Sequence, residues 1–510
     1  MNLKLKKLCG EIHDLNTANA VLEWDQQVNM PAAGSAGRAM QMSLLSSLAH
    51  EKETSAEYGE LLEELKSFRN ELSPESDDFC LLRILQRDYE RARRIPAEYI
   101  EEFSRETGTA FNIWEQARKA KDFKIFQPSL ERIFNLRRQY AEFFAPYEHI
   151  YDPLLEDFEP GIKTTEVIKI FEVLRREQII LLDKTLASQQ PDSKILNGHF
   201  DPKAQWQLAR ESASMLGFDW ERGRLDKSSH PFTTTFNLND VRITTNVCEK
   251  NILSSLYSTM HECGHALYEQ GIAQKLDRTP LGTGASLAIH ESQSRLWENI
   301  VGRSLDFLTA FYPQIQAKFP KQFHHVALND FYRAVNQVRP SLIRTESDEM
   351  TYNLHIMLRL ELEIEVLEKR TDVADLPEAW RNKMNDYLGV IPKNDAEGVL
   401  QDVHWAGGAI GYFPTYALGN VISAQIWETA LNELPDLQKQ IRSGNLAELR
   451  NWLREKLHRH GGKFYPSEHR NYNLHILSGI DYVPQSFQKI LLDEVKSIFP
   501  KVRLGNIYSN

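Results

Sequence analysis

Four cysteines in 510 residues, none in a CxxC pair, are too few and too scattered for a disulfide framework. That usage predicts a reducing, cytoplasmic setting. No uninterrupted apolar run approaches the roughly 20 residues of a membrane-spanning helix. The basic start Met1-Asn-Leu-Lys-Leu-Lys-Lys7 passes at once into Glu11, His13, Asp14 and Asn16, leaving no apolar stretch of the kind a secretory signal carries. Positive charge is in deficit: 60 Lys and Arg against 71 Asp and Glu give a formal charge of −11, with no long basic run. This balance argues against nucleic acid or an anionic membrane as a main partner. Internal repeats and low-complexity linkers are missing as well.

What is there is the material of a large globular core: 42% hydrophobic residues, an ordinary fraction for folded domains. The length allows several domains but also suits one large two-lobed body. Apolar positions recur at three- and four-residue spacing over 38–67, 81–93, 96–121, 128–144, 165–187, 351–370 and 436–458, which predicts helices there. Pro74, Pro96, Pro128, Pro160 and Pro191 mark helix starts or loops. One stretch differs: from Phe232 to Thr245 the chain is rich in β-branched residues and roughly alternating, which predicts a hairpin or small sheet. The expected fold is mainly α, with this β element beside a cleft.

The segment that follows, Ser258-Thr-Met-His261-Glu262-Cys-Gly-His265-Ala-Leu-Tyr268, contains His-Glu-x-x-His. On a helix, positions i and i+4 share a face, so both imidazoles can reach one metal ion. The glutamate after the first histidine can then act on a metal-activated water. Apolar flanks from Ile252 to Met260 and from Ala266 to Tyr268 predict a buried helix, on which ionisable groups need partners. Gly264 costs helix stability of about 1 kcal/mol relative to alanine and predicts a close approach to the helix at that point. Cys263 points away from the histidine face, toward the core.

A catalytic zinc site takes three protein ligands and keeps one position open. Glu291, in Ser286-Leu-Ala-Ile-His290-Glu291-Ser292-Gln293, lies on a second predicted helix after a turn holding Pro280, Gly282 and Gly284. It is the candidate third ligand. Pairing with Arg295 at i+4 is its competing use. Glu298 shares the face two turns on and suits a supporting role behind a ligand better than a ligand role.

Further motifs run through nearly the whole chain: Leu22-Glu-Trp24-Asp25-Gln26 with Met30-Pro31, His230-Pro231-Phe232, Asp240-Val-Arg242-Ile-Thr244, Ile343-Arg344-Thr-Glu-Ser347-Asp348, Gly398-Val-Leu-Gln401-Asp402-Val-His404-Trp405, and Gly411-Tyr412-Phe413-Pro414-Thr-Tyr416-Ala-Leu418-Gly419-Asn420. With the His261 and His290 segments, they make the chain resemble the carboxypeptidase Taq family of zinc metallocarboxypeptidases. The resemblance implies one Zn2+ per chain on His261, His265 and Glu291, with Co2+ as the alternative ion. It implies Glu262 as general base and acid. It further implies a helical fold with two lobes of interleaved helices around a long central groove, residues 1–510 forming one catalytic unit. A homodimer and broad side-chain tolerance, with poor release next to proline, belong to the same implication. Two departures are visible: Ser347 stands where the family has alanine, and the stretch from His460 to Gly479 matches less cleanly after Pro466.

The rest of the site follows from what peptide hydrolysis needs. Negative charge on the tetrahedral intermediate calls for donors, and His404 and Tyr416 are the candidates, beside the glycines 407, 408 and 411. Core packing is their competing role, and Tyr412 rivals Tyr416. A free terminal carboxylate is best bound by an arginine fork. Arg344 is the first candidate, with a pair to Asp348 at i+4 as its competing use. Arg242 either contacts substrate or braces Asp240, His230 shapes the cleft, and Asp402 orients His404. The expected activity is removal of C-terminal residues from short peptides. The alternatives are a helical zinc oligoendopeptidase and a catalytically silent peptide-binding protein, the second disfavoured by the intact His261, Glu262, His265 and Glu291.

Overall fold

A computed structural model describes residues 3–466 and 484–499. The chain forms two compact units from interleaved segments: Met1–Arg93, Asp192–Val335 and Ile426–Ile480 make the first; Arg94–Pro191, Asn336–Gln425 and Asp481–Asn510 make the second. Both are mainly helical, and among the described residues no helix is long and apolar enough to cross a membrane. The poorly matching stretch after Pro466 lies outside the described residues.

Helix punctuation follows local chemistry. The predicted helix over 38–67 is two helices, Ser35–Glu53 and Ala56–Glu71. The break falls where extended Ser55 turns its hydroxyl to the Tyr58 amide at 3.2 Å and caps the second helix. The segment 436–458 is also divided, into Leu437–Arg442 and Ala447–Lys456, by Gly444 with φ of 84°, a conformation that favours glycine. Pro96 directly precedes the helix Ala97–Ala120, and Pro128 lies in the first turn of Gln127–Glu142, where its missing N–H costs nothing.

The sheet lies in the first unit. Strands β1 (Gly223–Lys227), β2 (Thr233–Asn237) and β3 (Asp240–Thr245) take the order β1-β3-β2. The hairpin pairs Thr233 with Ile243 and Asn237 with Asp240, with a bulge between Thr235 and Asn237. Parallel β1 was not expected from its sequence, Gly-Arg-Leu-Asp-Lys, which has no β-branched residue. β3 is tied to the helix Ile252–Gly271 through Thr245, whose hydroxyl donates to the Ser255 carbonyl at 3.2 Å and accepts from Thr259 at 2.9 Å.

That helix is capped by Asn251, which accepts from the Leu253 amide at 3.0 Å, and is buried on nearly every face. Its Gly264 explains the crossing of the next helix, Leu287–Arg295: a Cβ at Gly264 would stand 2.6 Å from the Gln293 carbonyl and 2.7 Å from Ser294 Cα. The close approach expected at this glycine is therefore a backbone-to-helix contact, and it brings Glu291 over the two histidines.

Candidate functional site

His261 and His265 stand one turn apart on Ile252–Gly271, with ring centroids 4.9 Å apart and planes at 85°. Glu291 Oε2 faces both, 3.7 Å from His261 Nε2 and 3.5 Å from His265 Nε2. One ligand atom from each residue falls within 4.8 Å of the others. The opposite ring nitrogens are occupied. His261 Nδ1 lies 2.9 Å from Glu298 Oε2, and His265 Nδ1 lies 2.7 Å from His290 Nδ1. Glu291 also makes its expected contact with Arg295, whose Nε donates to Oε1 at 2.6 Å, and this leaves Oε2 on the histidine side.

The electrostatics fit a divalent cation. Burial opposes a charge on His261, but the carboxylates of Glu291, Glu298 and Glu262 outweigh it and raise the imidazole to about 9. His265, buried and facing His290, is held well below the usual histidine range and is neutral. Burial also pushes Glu298 upward, yet the His261 hydrogen bond and the Arg295 and Arg303 guanidinium groups hold it at about 2. Two imidazole nitrogens and one carboxylate, backed by further carboxylates, are a donor set able to hold a divalent metal ion.

Glu262 points its carboxylate toward β2. Thr233 Oγ1 donates to Glu262 Oε2 at 2.7 Å and lies 2.9 Å from the Glu262 carbonyl. Burial raises the Glu262 carboxyl above its usual range. Nothing in the run of three threonines set Thr233 apart in the sequence; its role comes from the hairpin register. Also in this unit, Arg242 makes two hydrogen bonds of 2.8 Å to Asp240 and lies over the Trp24 ring at 4.4 Å, which is the bracing use. His230 is exposed, and its carbonyl accepts from Ser228 at 2.6 Å.

The second unit holds the other candidates. His404 Nε2 lies 3.1 Å from the Tyr416 hydroxyl, and the Tyr412 ring packs 5.3 Å from His404 and 5.2 Å from Tyr416. Arg344 does not pair with Asp348, which instead caps the helix Glu349–Leu367 by accepting from the Thr351 amide at 3.1 Å. Its partner is Asp402, at 3.1 and 2.9 Å, and its Nη1 donates to Tyr352 at 2.8 Å. Asp402 also takes Arg359 Nε at 2.7 Å. With its oxygens given to two guanidinium groups, Asp402 stands 3.9 Å from His404 Nδ1, beyond hydrogen-bond reach, so it does not orient that ring as expected. Burial and the two arginines, working against Asp402, lower His404 to about 4.

The chain is similar to known proteins over nearly its whole length. The family described as Carboxypeptidase Taq (M32) metallopeptidase matches residues 4–480. Thermostable carboxypeptidase 1 of Thermus thermophilus is 42% identical over 462 residues, covering 89% of this chain and 90% of that protein. Carboxypeptidase 1 of Bacillus subtilis is 38% identical over 490 residues, covering 95% of this chain and 97% of that protein. The crystal structure of M32 carboxypeptidase from Deinococcus radiodurans R1 matches with a TM-score of 0.93 at 38% identity, over 98% of this chain and 99% of that one.

Proposed function

The chain belongs to the carboxypeptidase Taq (M32) metallopeptidase family and is a metallocarboxypeptidase; on that premise we propose that one zinc ion per chain, on His261, His265 and Glu291, serves the release of C-terminal residues from short peptides. The observation that carries the reading is the convergence of those three ligand atoms within 4.8 Å, one residue away from a buried carboxyl that is not a ligand. Cobalt suits the same donors.

A zinc ion held by His261, His265 and Glu291 would acidify a water and polarise the scissile carbonyl. Glu262 accepts the water proton as the water oxygen bonds to the carbonyl carbon. It then returns the proton to the amide nitrogen as the C–N bond breaks. The hydrogen bond from Thr233 keeps the carboxylate oriented for both transfers. His404 and Tyr416 donate to the oxyanion, a reading supported by the hydrogen bond that orients their polar tips. Arg344 binds the terminal carboxylate. In support, Arg344 and Arg359 share the single carboxylate of Asp402, so one positive charge remains in excess among them. Tyr412 and His230 are assigned to peptide binding, and Arg242 to bracing Asp240. Residues 1–510 act as one catalytic unit, in a cytoplasmic homodimer tolerant of most side chains except next to proline.

A matched pair of peptides, one with a free C-terminal acid and one amidated, tests the reading. The acid is expected to lose its last residue and the amide to resist. Equal cleavage of both points to an endopeptidase and removes the terminal-carboxylate role of Arg344.

A further inference from the structure

The face of Ile252–Gly271 that carries His261 and His265 continues to Glu269, again four residues on. Glu269 is buried, and its Oε1 lies 2.7 Å from His290 Nε2. The other nitrogen of that ring, Nδ1, lies 2.7 Å from His265 Nδ1. The His290 ring is confined by Tyr268, 5.2 Å away, and by Gly284, where a Cβ would stand 2.7 Å from His290 Cδ2. A carboxylate, an imidazole and a ligand imidazole therefore form a continuous chain.

Proton counting fixes its polarity. A histidine that gives the Nε2 lone pair to a metal carries its proton on Nδ1. His265 Nδ1–H then donates to His290 Nδ1, which must be a lone pair. His290 is thus neutral with its proton on Nε2, and that proton goes to Glu269, whose ionised carboxylate can only accept. If Glu269 is removed, nothing holds the His290 proton on Nε2. Transfer of that proton to Nδ1 would put it against His265 and drive His265 into the tautomer whose Nε2 cannot bind metal.

We infer that Glu269 and His290 are positioning residues that set the tautomer of His265 through this two-step relay, whereas His261 is set directly by Glu298 at 2.9 Å. The inference rests on His265 being a metal ligand. Zinc dissociation constants of the full chain, by competition with a chromogenic chelator, test both levels. Glu269→Leu and His290→Phe are each expected to weaken zinc by about 10- to 100-fold. Glu269→Gln keeps an accepting oxygen and should recover most of the loss. The double variant Glu269→Leu with His290→Phe should be no weaker than His290→Phe alone, because Glu269 acts only through His290. Unchanged affinity in the single variants, or losses that multiply in the double, overturns the relay. Should His265→Ala bind zinc as tightly as the wild type, the ligand assignment itself fails. A readout independent of any variant is the nitrogen-15 spectrum of the zinc-loaded wild type. His290 is expected protonated on Nε2 only; a cationic ring or the opposite tautomer overturns the relay.

Discussion

Glu291 splits its carboxylate with Arg295: Oε1 receives the guanidinium Nε at 2.6 Å, while Oε2, which accepts from Ser294 Oγ at 3.1 Å, faces the two histidine Nε2 atoms. Two chemical uses that compete when only sequence spacing is considered are compatible in space, because a carboxylate has two oxygens. The pairing fixes the rotation of the carboxylate. Arg295→Leu should therefore weaken metal binding by roughly tenfold or more, the usual cost of losing a group behind a ligand. The measurement is loss of activity against increasing chelator; a midpoint unchanged from wild type would remove Arg295 from this role.

Glu262 faces the opposite requirement. It must move a proton and need not hold metal. Glu262→Gln should retain one metal ion per chain by elemental analysis while kcat falls by about 10²- to 10⁴-fold, the range for losing a general base. Thr233→Val should lower kcat by a smaller factor, since it removes only the hydrogen bond that orients the carboxylate. A Glu262→Gln protein with wild-type turnover would show that another group takes the proton.

Among the described residues, Asp402 is the one carboxylate ion-paired with both Arg344 and Arg359, the latter fully buried. Asp402→Asn leaves two guanidinium groups without a counter-charge. Removing one partner of a buried ion pair costs about 3–5 kcal/mol, so the loss should be plain in denaturant unfolding. An unfolding midpoint within error of wild type would mean that the arginines have other anions near them.

The shared face of His261 and His265 was legible in sequence because its geometry is local: i, i+4 spacing fixes it, and Gly264 signals a close approach that proves to be the helix carrying Glu291. The helical texture and the hairpin were legible for the same reason. For Arg344, i+4 spacing offered Asp348 as the competing partner, whereas its partner Asp402 lies 58 positions away and is joined to it only by the fold. The capping need of Glu349–Leu367 claims Asp348 first. β1 was hidden because its strand character comes from pairing with β3 and not from its own residues. The relay through His290 and Glu269 had a partial signal, Glu269 standing one further turn along the histidine face, but the His290 contact needs the second helix in place.

The His404 imidazole supplies a pH test with a definite sign. Burial, with Arg344 and Arg359 nearby, holds it at about 4 in the folded chain, whereas an unfolded histidine titrates near 6.5. Between these values the unfolded chain binds more protons, so acid pulls the equilibrium toward unfolding. The neutral ring contributes its full stability above about pH 6.5, and this contribution is lost progressively down to about pH 4. The shift corresponds to an upper bound on the order of 3 kcal/mol. Carboxylates also titrate in that window, so the test is a difference: His404→Gln should show a shallower loss of stability than wild type between pH 6.5 and 4, with the two curves parallel above pH 7. Parallel curves across the whole range would mean that the folded ring titrates near its ordinary value and is open to water. Glu363 should behave with the opposite sign. Burial raises its carboxyl to about 7 despite hydrogen bonds from Tyr151 at 2.5 Å and Trp405 at 2.8 Å. Its folded state binds the extra proton, so its contribution is greatest below about pH 4 and declines as pH rises through 7; Glu363→Gln should flatten that decline.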